Sequence, residues 1–322
     1  MHELQGYVCL VTGASRGIGK GIALGLGECG ATVYITGRTL KTSEAKEVGG
    51  SLEETAAAIV ASGGKAIPLA IDHSDENQVI ELFNQIRREQ HGRLDLLVNN
   101  AYTAVPFLFA NAGKSYYEIN DRSPGEVWDH VNNVGLRNHY ICSVLATRMM
   151  LDFQDENRYL RPGLIINVSS FGGKRYMFNT AYGMGKAAVD RMTNDMAYEL
   201  KSKHKNICVL SLWPAFVRTE LMVAERVIPL TSENSESPKL VGRVVAALTA
   251  ESADKLLARS GQVCLVSDIA DQYGIRESDG CKPANHRSLK VLLQFKGCWW
   301  AQFIPKFIRL PKFLFMYLIS WV

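Results

Sequence analysis

The run Tyr7-Val8-Cys9-Leu10-Val11-Thr12-Gly13-Ala14-Ser15-Arg16-Gly17-Ile18-Gly19 decides how the rest of the chain is read. Its first five residues are continuously apolar, the pattern of a strand buried on both faces. Glycines at 13, 17 and 19 then lead into a helical pattern that extends to about Gly30. Glycine lets a backbone turn tightly and come close to a phosphate, and a helix N-terminus offers unpaired N–H groups and a positive dipole end. Glycines also mark ordinary turns. Their place between a strand and a helix favours a dinucleotide cradle built from Gly13, Ser15, Arg16, Gly17, Ile18 and Gly19.

Working outward, strand-like runs alternate with helix-patterned stretches. Strands are expected at Ala31–Thr36, Lys65–Ile71, Leu94–Asn99, Gly163–Val168, Ile207–Trp213 and Val263–Val266. Helices are expected from Ser51, whose Ser51-x-x-Glu54 pattern is a capping box, to Gly63–Gly64, and over Asp75–Gln90, Pro124–Met150, Tyr182–Lys201 and Ser237–Ala250. Buried strands separated by helices imply an α/β fold, a single Rossmann-type doubly wound parallel sheet. It is expected to occupy residues 1–275, with a C-terminal aromatic and basic extension over 276–322. Lys41–Gly50 and Asp152–Pro162 read as surface loops.

The chain has 322 residues, 47% hydrophobic and 21% charged, so it can bury a core and is not of disordered composition. Its formal net charge of +4 is too weak to argue for nucleic acid, but suits an anionic cofactor or a membrane surface. Seven cysteines, at 9, 29, 142, 208, 264, 281 and 298, form no CxxC pair and no metal-ligand spacing with histidine. A reducing compartment and no metal are expected, and no room is seen for a signal peptide ahead of the first strand.

The end of the second expected strand reads Thr36-Gly37-Arg38, with no acid to bond the ribose hydroxyls of NAD. Arg38, with Arg16, is suited instead to clamp a 2′-phosphate, so the expected cofactor is NADP(H). Further on, Tyr182 and Lys186 are four residues apart and so share a helix face. A phenol has an ordinary pKa of about 10, and a neighbouring ammonium lowers it toward the range useful for proton transfer. The pair follows a strand ending Val168-Ser169-Ser170 by twelve residues, and either serine is placed to bond a reacting oxygen.

These features together resemble the short-chain dehydrogenase/reductase family over roughly residues 7–270. The matching motifs are TGASRGIG at 12–19, NNAY at 99–102, SS at 169–170, YGMGK at 182–186 and Pro-x-x-Val-x-Thr at 214–219. The resemblance implies that Tyr182, Lys186 and Ser170 are catalytic, with Ser170 rather than Ser169 holding the oxygen. It implies that Asp72 contacts the adenine, that Asn99, Asn100 and Ala101 support the sheet and line the cofactor, and that Pro214, Val217 and Thr219 receive the nicotinamide. Tyr182 and Lys186 would also touch the cofactor. A homo-oligomer is implied, because the helices at 124–150 and 182–201 form dimer faces in many relatives. Two departures stand out. Tyr102 occupies a position that is usually glycine, and Gly135 one that is usually an asparagine holding a proton-relay water. Water alone, or a shifted Asn133, is then expected to serve Lys186.

The segment Glu220–Pro238 is where the family closes over substrate. Its aliphatics (Leu221, Met222, Val223, Val227, Ile228, Leu230) suit a small hydrophobic carbonyl such as a steroid, prostanoid, quinone or xenobiotic ketone, or pack on their own domain. In the extension, Trp299, Trp300, Phe303, Phe307 and the run 313–322 are interleaved with Lys296, Lys306, Arg309 and Lys312. This pattern fits a segment lying at a membrane interface, although a tail folded on the domain or on a partner subunit is the alternative. The expected location is the cytosolic face of the endoplasmic reticulum, with the cytoplasm as the alternative. Carbonyl reduction is the expected reaction; alcohol oxidation, or a cofactor-binding scaffold with vestigial activity, are the other readings.

Overall fold

The computed structural model describes residues 3–44, 49–224, 234–283, 285–295, 297–305 and 307–320. Seven strands, β1 (Val8–Val11), β2 (Thr32–Gly37), β3 (Lys65–Ala70), β4 (Leu96–Asn99), β5 (Gly163–Val168), β6 (Ile207–Trp213) and β7 (Val263–Leu265), pair in parallel in the order β3-β2-β1-β4-β5-β6-β7. The order reverses between β1 and β4, and the crevice beyond the strand ends at such a reversal is where ligands bind in open α/β sheets.

The helices are α1 (Gly17–Glu28), α2 (Leu52–Ala61), α3 (Glu76–Glu89), α4 (Val105–Ala110), α5 (Pro124–Asn132), α6 (Asn138–Asn157), α7 (Thr180–Ser202), α8 (Glu220–Ala224), α9 (Pro238–Thr249), α10 (Ala253–Ala258), α11 (Val266–Tyr273), α12 (Leu289–Phe295) and α13 (Lys312–Ile319). Alternation along β1 divides the core. Cys9 and Val11 face a layer with Ile22 and Leu26 of α1, Ile59 of α2 and Val241 and Val244 of α9. Val8 and Leu10 face the opposite layer, with Leu82 and Ile86 of α3 and Cys142 and Met149 of α6. Each such aliphatic side chain contributes about 1.5–3 kcal/mol when fully buried, so each layer is anchored to the sheet independently. α1 and α9 cross at van der Waals contact because glycines line the crossing; a Cβ on Gly242 would lie 1.9 Å from Gly21 O.

Several expected boundaries shift. The single helix expected over 124–150 is broken by a π turn, Asn133–Arg137, and then continues to Asn157. The loop expected from Asp152 is therefore largely helical, tied down by Arg87 to Asp152 at 3.0 Å and ended by Arg158 at φ 50°. The capping box at Ser51 is half formed. Ser51 Oγ accepts from Glu54 N at 3.1 Å, while the Glu54 carboxylate turns to Lys20 at 3.9 Å. Val266, expected in the last strand, opens α11 instead. Of the other expected loop, Thr42–Glu44 form a short 3-10 turn and positions 45–48 lie outside the described residues.

The extension folds back over the ends of β6 and β7. Phe315 and Ile319 of α13 are buried against Trp213 and Leu265. Its polar side chains secure it: Arg309 pairs with Asp271 at 2.5 Å, and Arg287 Nε donates to Asp268 Oδ1 at 2.9 Å. Trp299, Phe303, Phe307 and Phe313 remain exposed on its outer surface. Positions 296, 306, 321 and 322 lie outside the described residues. Among the described residues no helix is long and apolar enough to cross a membrane.

Candidate active site

The cradle is built where β1 and β4 end. Thr12 Oγ1 accepts from Asn100 N and Ala101 N, both at 3.0 Å, and Asn100 Nδ2 donates to Thr12 O and Gly13 O at 2.9 and 3.0 Å. Gly13 sits at φ +68°, and a Cβ there would lie 2.7 Å from Ala101 Cα, so the turn admits only glycine. The N-terminus of α1 then faces a cavity of about 760 Å³. Gly17 N donates to Glu220 Oε2 at 2.9 Å, so a carboxylate already lies where the helix favours an anion.

Ser15, Arg16, Gly17, Ile18, Gly19, Arg38 and Asp72 line this cavity at the β1–β2–β3 end. Among the described residues neither Arg16 nor Arg38 has a carboxylate within ion-pair distance, and both line the cavity. Burial would raise the Asp72 carboxyl, but hydrogen bonds from Ser74 and the nearby Arg38 outweigh it and hold the group below its ordinary value.

The opposite end is built by β5 and α7. Asn179 caps α7, its Oδ1 accepting from Tyr182 N at 2.9 Å. This fixes the first turn so that Tyr182 and Lys186 face the cavity together, each 8% exposed. Ser169 Oγ donates to Lys186 O at 3.2 Å and is spent on the helix backbone. Ser170 Oγ accepts from Gly172 N at 3.1 Å and lines the same cavity as Tyr182, which places Ser170 beside the reacting position. Pro214, Val217 and Thr219 follow β6 along the third wall, and Leu221 and Met222 of α8 close part of the opening. Val227, Ile228 and Leu230 of the expected lid lie outside the described residues. The cavity wall also holds Val105, Leu108 and Phe109 on or beside α4, an apolar run that the sequence reading did not place.

Asn99 supports the sheet as expected but is not placed in the cavity wall. It is fully buried, and its Nδ2 donates to Ser143 Oγ at 2.9 Å and Asn167 Oδ1 at 2.8 Å, joining β4 to α6 and β5. It braces the sheet but does not line the cavity, because alternation points it inward while Asn100 and Ala101 reach the opening.

The expected electrostatics of the pair are also revised. Burial raises the Tyr182 phenol, opposed by its bond with Ser170. Burial likewise pushes the Lys186 ammonium down to about 8, opposed by the Asp190 carboxylate. The ammonium does not lower the phenol as expected because it is directed elsewhere. Lys186 Nζ donates to Val168 O at 3.1 Å and lies 4.9 Å from the centroid of the Tyr102 ring, a cation–π contact.

That ring also fills the space beside Gly135. A Cβ on Gly135 would lie 2.4 Å from Tyr102 Cδ2, so Tyr102 fills the space that a side chain at 135 would enter. Asn133 is not in the cavity wall, and its neighbour Asn132 is bonded to Ala181 O at 3.2 Å. Tyr102 stands edge-on to Tyr182 at 6.2 Å, and its buried hydroxyl has no hydrogen-bond partner among the described residues. His139, which the sequence reading missed, is fully buried behind Lys186, with Nε2 3.2 Å from Ala101 O. Its spacing of four from Gly135 was the available signal.

A family model for short chain dehydrogenases matches residues 7–227. The chain is 42% identical to human dehydrogenase/reductase SDR family member 1, over 97% of this chain and 96% of that protein. It is 41% identical to the mouse protein of the same name over the same shares. Among solved structures, a metagenomic short-chain oxidoreductase in complex with NADP aligns with a TM-score of 0.60 and 27% identity, covering 82% of this chain and 97% of that one. A short-chain type dehydrogenase/reductase from Mycobacterium marinum aligns with a TM-score of 0.64 and 27% identity, over 81% and 94%.

Proposed function

The chain belongs to the short-chain dehydrogenase/reductase family of oxidoreductases, and from that premise we propose that it is an NADPH-dependent carbonyl reductase for hydrophobic ketones, of steroid, prostanoid or xenobiotic type. The observation that carries this reading is one shared cavity. Tyr182, Lys186 and Ser170 share a cavity with a glycine cradle whose helix N-terminus already attracts a carboxylate. The residues fit NADP(H): Gly13 to Gly19 would hold the pyrophosphate, Arg16 and Arg38 the 2′-phosphate, and Pro214, Val217 and Thr219 the nicotinamide end. When bound, the cofactor supplies hydride to the carbonyl carbon.

The chain's own groups manage the oxygen. Ser170 Oγ and Tyr182 Oη converge on it, and Tyr182 Oη gives up its proton as negative charge develops. A phenol raised by burial stays protonated near neutral pH, the form that gives a proton to a carbonyl oxygen. The Lys186 ammonium, on the same helix face as Tyr182, would bond the nicotinamide ribose. The apolar lining from Val105, Leu108, Phe109, Leu221 and Met222 supports a hydrophobic substrate.

The exposed Trp299, Phe303, Phe307 and Phe313, near Lys290 and Lys312, support docking to a membrane surface, consistent with the cytosolic face of the endoplasmic reticulum. Exposed Trp128 on α5, Tyr140 on α6 and Met184 and Tyr198 on α7 support a homo-oligomer. Incubating the protein with NADPH and a panel of carbonyl compounds, beside Tyr182→Phe, tests the reading. Ketone-dependent NADPH oxidation that the variant loses supports it; cofactor binding with no turnover of any carbonyl refutes it and favours the scaffold reading.

A further inference from the structure

A second cavity, of about 660 Å³, lies beneath the C-terminal extension. Trp213, Phe216 and Leu265 form its floor, and Leu292, Leu310 and Phe315 its roof. The roof is held by polar contacts outside the chamber. Asn285 Nδ2 donates to Asp268 Oδ1 at 3.1 Å and Asp271 Oδ2 at 3.0 Å, and Arg287 and Arg309 pair with the same two acids. The extension therefore encloses a volume of ligand size rather than collapsing onto the sheet. Glu236, Ser267, His286 and Arg175 are polar members of the lining, but aliphatic and aromatic side chains make up most of it and suit an apolar guest.

Two relationships identify the guest. The chamber and the catalytic cavity share Phe171, Met177, Pro214, Ala215 and Phe216, so they are separated by one layer of side chains. In that layer the Phe171 and Phe216 rings meet edge to face at 5.9 Å, and neither residue is fully buried. At the other end the chamber reaches the surface at Leu318, 47% exposed, and Tyr176, 61% exposed. An apolar path thus runs from the outer surface of the extension to within one side chain of Tyr182.

The geometry points to this chamber as the binding compartment for the long apolar arm of the substrate, a lipophilic long-chain carbonyl compound whose carbonyl end lies at Tyr182. The inference rests on the reading of Tyr182 as proton donor, and it names the substrate class that reading leaves broad. The arm enters past Leu318, and the Phe171 and Phe216 rings part to let the carbonyl end through.

The full-length protein with NADPH is assayed on methyl ketones from hexan-2-one to dodecan-2-one in detergent-free aqueous buffer, each below its solubility limit. In the native protein kcat/KM climbs with chain length, by about fourfold for each methylene fully buried. Leu292→Trp fills the chamber far from the cradle, and Leu318→Arg obstructs its mouth at an exposed position that does not endanger folding. Both are expected to abolish the climb while keeping the hexan-2-one rate within about twofold. A climb that persists in both variants, or a hexan-2-one rate that falls in parallel, overturns the proposal. Where the native protein turns over no ketone, binding of a fluorescent conjugated-polyene alcohol is read instead. Uptake by the native protein, displacement by dodecan-2-one and loss in both variants would support the chamber and refute only the reaction; no uptake by the native protein overturns the chamber itself.

Discussion

The Tyr102 ring occupies the volume that a side chain at residue 135 would need, at 2.4 Å from a Cβ placed on Gly135, and the same ring lies 4.9 Å beneath Lys186 Nζ. The two departures from the family pattern are one arrangement, in which an aromatic face takes the place behind the lysine that the family usually gives to an amide. Gly135→Asn alone is expected to overpack this space and to cost roughly 1–3 kcal/mol in denaturant unfolding. Adding Tyr102→Gly should recover much of that loss, with a coupling of about 0.5–3 kcal/mol. Additive losses would show that the two residues do not share the space.

Tyr102→Phe separates the ring from its hydroxyl. The hydroxyl is buried without a hydrogen-bond partner among the described residues, an arrangement that costs about 1–3 kcal/mol. The variant should be at least as stable as the native protein and keep its turnover, because the face toward Lys186 is retained. A large drop in kcat would show that the hydroxyl, not the ring, serves the site.

Glu220 should compete with the cofactor. Its carboxylate accepts from Gly17 N at 2.9 Å, and a pyrophosphate reaching that N–H has to displace it. Glu220→Gln removes the charge, and NADPH is expected to bind roughly two- to tenfold more tightly, in line with the value of an anion at a helix N-terminus. Titration of NADPH fluorescence at low salt measures this. Unchanged or weaker binding would show that Glu220 does not compete for the cradle.

Cofactor choice should follow the two arginines. Arg38→Ala removes charge-assisted bonds of about 1.5–3 kcal/mol, so NADPH affinity should fall roughly ten- to hundredfold while NADH affinity stays unchanged. Arg16→Ala should act in the same direction. Parallel losses for both cofactors would assign Arg38 to general binding rather than to the 2′-phosphate.

Glu236 sets a pH dependence of stability. Burial, and to a lesser degree the nearby Glu277, push its carboxyl up to about 8, against a bond from Ala215 N. Between the ordinary value of 4.5 and about 8 the folded protein therefore holds a proton that the unfolded chain has released. The stability tied to that proton is present below pH 4.5 and is lost as pH rises toward 8. A tenfold difference in proton affinity between the folded and unfolded chain corresponds to about 1.4 kcal/mol. Glu236→Gln should therefore flatten the pH dependence across this window and stabilise the protein above it. Equal slopes for variant and native protein in thermal unfolding would exclude the assignment.

Much of this protein was legible in one dimension because its signals are local. The apolar run Tyr7–Val11 and the glycines after it specify a strand, a turn and a helix through short-range sterics, and the Tyr182–Lys186 spacing places both side chains on one face whatever surrounds them. What the sequence could not contain is distance between residues remote along the chain. Gly135 read alone is a missing asparagine; only folding brings Tyr102, thirty-three positions earlier, into the space it leaves. Asn99 read as a cavity residue until the pleat turned it into the sheet, and Glu220 read as a residue after a motif until it met Gly17. The direction of the Tyr182 and Lys186 pKa shifts belongs to the same class, since burial is a property of the packed chain and outweighs what adjacency alone would predict. Composition marked the extension as aromatic and basic. That it roofs a chamber beside the catalytic cavity follows from Asp268 and Asp271, whose contacts with Asn285, Arg287 and Arg309 exist only in three dimensions.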